Sequence, residues 1–210
     1  MRKLSVAVAL ATILLFLSAC SQSPSKPGAE GNTVQASEPS SSGPVTGKAA
    51  YWKMYESAYR WAPDLVLLGL QPKNASSVIA GKAELWEATF ASPRKREVRL
   101  FSYAAVAHPP DVRQGVSVGN AIPWGGMTRD VMPIEKDAFK IDSDAAYAAG
   151  AADAGDWLKK NQDKKLSSLQ LGNSYNFPAP VWYLVWGDRK SGGYAVYVNA
   201  TTGQVMKKTK

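Results

Sequence analysis

The fold is decided by one β-rich stretch near the end of the chain, residues 181–198, VWYLVWGDRKSGGYAVYV. Its two ends, 181–186 and 194–198, are rich in β-branched and aromatic residues and flank a turn that begins and ends with glycine, which predicts a β-hairpin. Side chains alternate between the faces of a strand, so three cross-strand pairs share one face, which we expect the helices to cover. These pairs are Trp186 with Tyr194, Leu184 with Val196, and Trp182 with Val198.

The residues after this hairpin predict a second tight turn. Asn199-Ala200-Thr201-Thr202-Gly203 is a turn sequence, and Gln204-Val205-Met206 after it predicts a short last strand.

Apolar and aromatic positions recur along the chain at a constant spacing of 96 residues. The matched pairs are Tyr51/Tyr147, Ala58/Ala154, Trp61/Trp157, Leu70/Leu166, Trp86/Trp182, Phe90/Trp186 and Phe101/Tyr197. A single register favours two copies of one helix-then-hairpin unit. We therefore expect an α+β fold with tandem repeats at 49–119 and 141–210, joined by residues 120–140.

The first copy should mirror the second. Apolar residues at three- and four-residue steps predict a helix over 51–62, and Pro63 should end it and begin a second short helix through 64–68. Strands are expected at 83–91 and 98–105. In the second copy Asp142 is the expected helix N-cap.

The sheet faces yield the candidate binding residues. In the first copy we expect Trp86, Ala88, Phe90, Val98 and Leu100 on the helix-covered face. The opposite face would then present an aromatic mixture of the kind enriched at protein interfaces. Its candidate partner-binding residues are Arg99, Phe101, Tyr103, Tyr183 and Tyr197.

The N-terminus has the layout of a secretory signal. Residues 1–3, MRK, are positive, an apolar run follows, and small residues precede Cys20. The apolar stretch of 16 residues is shorter than the roughly 20 that a spanning helix needs. Leu17-Ser18-Ala19-Cys20 resembles the bacterial lipobox, which implies cleavage after residue 19 and a diacylglycerol on Cys20. The alternative is an ordinary signal peptide with a cysteine there by chance.

This resemblance implies an address in the cell envelope, where lipid on Cys20 holds the protein to a membrane. Ser21 is not the aspartate that retains enterobacterial lipoproteins at the inner membrane, so an outer membrane, with the protein facing the periplasm, is expected if the host has two. Residues 20–48 are Ser-, Pro- and Gly-rich, which predicts a disordered tether. Without Arg2 and Lys3, 23 basic and 17 acidic residues remain, a net charge of +6.

The second copy resembles a PepSY-type domain. The resemblance rests on three features of the sequence: the acidic and alanine residues that begin its helix at 142–146, the paired aromatic strands, and the final segment YVNATTGQV at 197–205. It implies a helix packed on a small antiparallel sheet, found in envelope proteins and protease propeptides, without catalysis. Tandem helix-and-sheet units are also similar in architecture to secreted β-lactamase-inhibitor proteins, although the paired cysteines of those inhibitors are missing here.

The sequence offers little for chemistry. His108 is the sole histidine and Cys20 the sole cysteine, which leaves no His/Cys metal set. Asp153 and Asp156 favour a solvated helix face over a carboxylate pair. Trp124 is expected to plug the space between two sheets, or else to anchor a surface. We therefore predict no enzyme, cofactor or metal, and export argues against nucleic acid as a partner.

Two functions follow from these observations. The first is a non-enzymatic envelope lipoprotein that binds, or inhibits, another protein or peptide through the outer sheet faces. The alternative is a structural protein that adheres to peptidoglycan or anionic lipid through basic residues. Those residues are Arg94, Lys95, Arg96, Lys207, Lys208 and Lys210. Oligomeric state is left open.

Overall fold

The structure is a computed structural model that describes residues 43–209. The predicted signal at 1–19, the lipid-bearing Cys20 and most of the predicted tether lie outside the described residues. The described chain is a mixed helix and antiparallel-sheet structure, as the sequence predicts. Within it, no helix is both long and apolar enough to cross a membrane.

In the part of the chain that the structure describes, three α-helices lie on one face of the sheet. They are α1 (Gly47–Trp61), α2 (Ser143–Asp153) and α3 (Gly155–Lys160). The side chain of Thr46 caps α1, and that of Asp142, the predicted N-cap, caps α2. The first helix ends as expected just before Pro63, because proline cannot continue the helical hydrogen bonding.

Within residues 43–209, nine strands form one sheet. They are β1 (Val66–Pro72), β2 (Leu85–Ser92), β3 (Glu97–Ala104), β4 (Gly115–Val118), β5 (Ile122–Pro123), β6 (Leu166–Gly172), β7 (Val181–Trp186), β8 (Tyr194–Asn199) and β9 (Val205–Thr209). The order is β4-β3-β2-β1-β6-β7-β8-β9, with β5 beside β3. All pairs are antiparallel, and the predicted hairpin 181–198 is confirmed with its register.

The two halves of the sheet join through a short contact between β1 and β6. Gly69 pairs with Gly172 and Leu70 with Leu171. The sheet is therefore continuous from one half to the other. Trp124 is half-buried in the connection, and the prediction that it fills a space between two sheets is wrong because there is a single continuous sheet.

One hydrophobic core runs beneath all three helices. The indole Nε1 of Trp86 donates to the carbonyl oxygen of Val45 at 3.0 Å, and that of Trp182 donates to Ile141 at 2.9 Å. Both tryptophans are fully buried. The same contact is thus made twice, 96 residues apart.

Residues 64–68 do not form the predicted helix. They lead into β1, a central strand between β2 and β6. A short apolar run such as Leu65–Leu68 has no periodicity that separates a buried strand from a buried helix, so length and position in the sheet decide. A β-bulge follows Leu67 in β1, and another follows Leu166 in β6. The first strands of the two halves therefore correspond at a spacing of 99 residues, and the predicted match of Leu70 with Leu166 is wrong.

Candidate functional site

The candidate site lies on the face of β6, β7 and β8 that the helices leave uncovered. Tyr183 and Tyr197 are directly paired across β7 and β8 and point away from the core. Their rings stack at a centroid distance of 4.8 Å and an interplanar angle of 26°. The sequence placed these two residues correctly.

Further side chains extend the tyrosine pair into a row. The ring of Phe177 lies 4.8 Å from that of Tyr197. At the other end the guanidinium carbon of Arg189 lies 6.0 Å from the Tyr183 ring, in cation–π geometry. The row thus reads Phe177, Tyr197, Tyr183, Arg189 across the sheet.

Two loops build one wall of a cavity beside this row. Asn173 donates from Nδ2 to the carbonyl oxygen of Pro133 at 2.7 Å, and the amide of Tyr175 donates to Arg129 at 2.8 Å, so the loop after β6 is tied to the inter-half connection. The cavity has a volume of about 260 Å³. It is lined by Leu68, Asp130, Val131, Gln170, Gly172, Asn173, Ser174, Asn176, Phe177, Val181, Tyr183 and Tyr197.

Tyr183 separates this cavity from a second one on the same face. The second cavity, of about 450 Å³, is lined by Ser167, Ser168, Tyr183, Val185, Gly187, Asp188 and Arg189. The hydroxyl of Tyr183 is buried and has no hydrogen-bond partner within residues 43–209. A buried, unpaired hydroxyl costs free energy. We call Gln170, Asn173, Phe177, Tyr183, Arg189 and Tyr197 the outer-face site.

The surroundings of Tyr197 favour its neutral phenol form. Burial raises the pKa of Tyr197 above its ordinary value, the neighbouring Tyr183 adds to this rise, and Arg189 opposes it. The site offers two aromatic rings and one cation from Arg189.

The candidate residues from the first half are not on this face. Phe101 is fully buried, with its ring 5.5 Å from that of Phe90. Arg99 lies on the helix side too, its guanidinium carbon 5.2 Å from the Trp61 ring, and Tyr103 packs against the same core. The prediction of these three for the outer face is wrong.

The cause is a slip of one residue in the β2–β3 turn. Ser92 pairs with Glu97 and Phe90 with Arg99, whereas the predicted faces require Phe90 opposite Val98. The intervening turn needs four residues, with Arg96 in the left-handed region at φ 54°. Because the side-chain period is two, such a slip turns every side chain of β3 to the other face. Val98 and Leu100 therefore point outward.

The sequence also missed the loop contributors to the site. Phe177 and Asn173 lie in an irregular segment, and Arg189 lies in the hairpin turn. Their only sequence signal is proximity to the aromatic hairpin.

The residues weighed for chemistry have ordinary surroundings. Nε2 of His108 lies 3.0 Å from a carboxylate oxygen of Glu84 in an exposed loop. Asp153 accepts from the hydroxyl of Tyr194 at 3.1 Å, and Asp156 lies 3.3 Å from Nζ of Lys159. In the part of the chain that the structure describes, no group of three or more His, Cys, Asp or Glu side chains could hold a metal ion.

No protein-family model and no curated protein matches the chain. Among solved structures it is similar to a protein assigned as a lipoprotein from Clostridium difficile 630, at 10% identity and a TM-score of 0.46. The match covers 76% of this chain and 91% of that one. A likeness at this level is no basis for assigning a fold family, a ligand or a partner.

Proposed function

We propose that this chain is a non-enzymatic envelope lipoprotein, and that its outer-face site binds a peptide segment of another protein. The observation that supports the site is the stacked pair of Tyr183 and Tyr197 on an uncovered sheet face, where Tyr183 lines two cavities. A bound chain that crosses both cavities would pass over Tyr183, which lines both.

The chemistry of the lining suits a peptide. Gln170, Asn173 and Asn176 have amide groups that both donate and accept, as peptide groups do. The stacked rings of Tyr183 and Tyr197 offer apolar area with little conformational entropy to lose, which is a property of protein-binding surfaces. Arg189 supplies a planar donor for a carboxylate or carbonyl.

The anchor half of the proposal depends on the sequence. Leu17-Ser18-Ala19-Cys20 resembles a lipobox, and we propose that lipid on Cys20 holds the protein to a membrane in the envelope, with an outer-membrane address facing the periplasm.

We further propose that the two halves are tandem copies of a PepSY-like unit. Three features recur at a spacing of 96 residues and support this. They are the helix N-caps Thr46 and Asp142, the core tryptophans Trp86 and Trp182, and the acceptors of their indole hydrogen bonds, Val45 and Ile141.

Photo-crosslinking in the native host tests the site. A photoreactive amino acid at Asn176, in the cavity lining, should give a discrete protein adduct, whereas one at Ala145, exposed on α2, should not. Adding Tyr183→Ala and Tyr197→Ala to the Asn176 variant should remove most of the adduct. Equal yields with and without the tyrosines would refute the proposed site.

A second candidate function has one supporting observation. Arg94, Lys95 and Arg96 are all exposed in the β2–β3 turn, and adhesion to an anionic cell-wall polymer would use them. Sedimentation of the protein with purified peptidoglycan should then fall as salt rises, because exposed charges are screened over about 8 Å at physiological ionic strength. Sedimentation that is insensitive to salt would count against it.

A further inference from the structure

Helix α1 bears a row of three aromatic side chains, two of which are half-exposed. Trp52 is 49% and Tyr59 is 50% exposed, and the partly buried Tyr55 lies between them. The ring centroids of Trp52 and Tyr55 are 5.4 Å apart, and those of Tyr55 and Tyr59 are 6.0 Å apart. We call Trp52, Tyr55 and Tyr59 the aromatic row of α1.

The fold itself does not require this row. The helix α2 occupies the equivalent place in the second half, since Gly47 and Ser143, and Ala50 and Ala146, are buried in both helices at the 96-residue spacing. At that spacing the row is replaced by Ala148, Ala151 and Gly155. In the second half, small residues at these positions are therefore enough for the helix to pack on the sheet. The packing of α1 on the sheet does not account for its exposed aromatic area.

One cationic side chain contacts the row, and others lie along the same helix. Nζ of Lys136 lies 5.1 Å from the Tyr55 ring and donates to its hydroxyl at 3.1 Å. The helix itself has Lys48, Lys53 and Arg60 against a single acidic residue, Glu56. Exposed Trp and Tyr beside Lys and Arg is the composition of a membrane–water interface, where the rings lie at headgroup level and the cations meet anionic lipid.

The position of α1 in the chain indicates the same partner. The helix begins at Gly47, and 26 residues separate it from Cys20. The aromatic row therefore belongs to the helix nearest the proposed lipid anchor, while its counterpart in α2, more than 90 residues further along, lacks it.

We infer that the aromatic row of α1 docks on the surface of an anionic lipid bilayer. The row and the outer-face site lie on opposite faces of the sheet, so docking would turn the outer-face site away from the lipid. The inference stands apart from the proposed peptide site, and either can fail without the other.

The test uses the full lipidated chain in vesicles of phosphatidylethanolamine with phosphatidylglycerol. A fluorophore is attached in separate proteins through Glu56→Cys, between Trp52 and Tyr59, through Ala148→Cys at the α2 counterpart, and through Asn176→Cys at the outer-face site. Lipids brominated just below the headgroup quench a fluorophore that lies at that depth. We expect several-fold stronger quenching at position 56 than at 148 or 176.

Two comparisons make the result specific. The double substitution Trp52→Ala and Tyr59→Ala should lower the quenching at position 56 to the level seen at position 148. Because both side chains are half-exposed, we expect a thermal melt to show that this variant is folded. In vesicles of phosphatidylcholine alone, quenching at position 56 should also fall without any change to the protein. The inference would be overturned by equal quenching at positions 56 and 176, or by quenching at position 56 that is unchanged in phosphatidylcholine. It would also be overturned if the α1 surface crosslinked to a protein and the fluorophore at position 56 were not quenched.

Discussion

Trp86 and Trp182 meet edge to face at the centre of the core, with ring centroids 6.4 Å apart and planes at 75°. The first residue of α1, Gly47, lies over both rings. A Cβ atom there would come within 3.0 Å of Cη2 of Trp182 and 3.1 Å of Cη2 of Trp86. The contact between the two tryptophans therefore leaves little room for a side chain at position 47.

Gly47→Val should lower the free energy of unfolding by about 1–3 kcal/mol, the usual cost of overpacking a dense core. Gly155→Val is the matched control, because Gly155 is also the first residue of a helix and a Cβ there meets nothing within 4 Å. Urea unfolding followed by circular dichroism measures both. Equal losses in the two variants would contradict the close approach at Gly47.

Ser143→Ala should destabilise the fold by about 1–3 kcal/mol, because the buried amide of Gly47 would lose its acceptor. In the structure this amide donates to Oγ of Ser143 at 2.7 Å, which ties the start of α1 to the start of α2. Ser191→Ala, at an exposed position in the hairpin turn, should change stability by less than about 0.5 kcal/mol. Urea midpoints at constant m-value distinguish the two outcomes.

Phe101→Ala should lower the free energy of unfolding by about 3–5 kcal/mol, since the ring is fully buried. Its neighbour Leu100 is 43% exposed on the other face, and Leu100→Ala should cost less than about 1 kcal/mol. The pair is a direct test of the β2–β3 register. If Leu100→Ala proved the costlier change, β3 would be turned the other way.

Stability should fall in alkaline solution, in part through Tyr51. Burial, and next the neighbouring Tyr55, raises the pKa of Tyr51 far above its ordinary value of 10.0. The unfolded chain then releases the Tyr51 proton at a lower pH than the folded chain does, so this contribution to stability is complete below about pH 10 and declines as the pH rises further. Tyr51→Phe should therefore lose less stability than the wild type between pH 9 and 11.

Urea unfolding at several pH values measures this difference. Tyr175→Phe is the control, because the Tyr175 side chain is 70% exposed. Parallel declines in the wild type and Tyr51→Phe would refute the assignment.

The hairpin of the second half could be predicted closely from sequence, whereas β6 was not predicted. The strand at 181–186 is found with the predicted bounds, and all three predicted cross-strand pairs of the hairpin are present. Trp182, Leu184 and Trp186 occupy alternate positions of β7, so a slip of one residue would be costly because it would expose both tryptophans.

The first half was harder because its register depends on turn geometry. Large side chains occupy both faces of β3, with Phe101 inward and Leu100 outward, so alternation alone does not choose between two registers. The left-handed residue in the turn is Arg96, not a glycine, and so gives no signal in the sequence. Phe177 and Asn173 reach the outer-face site through an irregular loop, which hydrophobic patterning does not place.

The joining of the halves through β1 and β6 also affects how quickly the chain can fold. Gly69 pairs with Gly172 and Trp86 contacts Trp182, although about a hundred residues of chain separate the members of each pair. Contacts between residues so far apart in sequence form slowly, because the entropic cost of closing the loop comes before the contact contributes any stability. Synthesis of the chain from its N-terminus delivers α1 and β1–β3 first, with half of their core still missing. The earliest segment to arrive would thus wait, with apolar surface open to chaperones or to aggregation, until nearly the last residues have followed it.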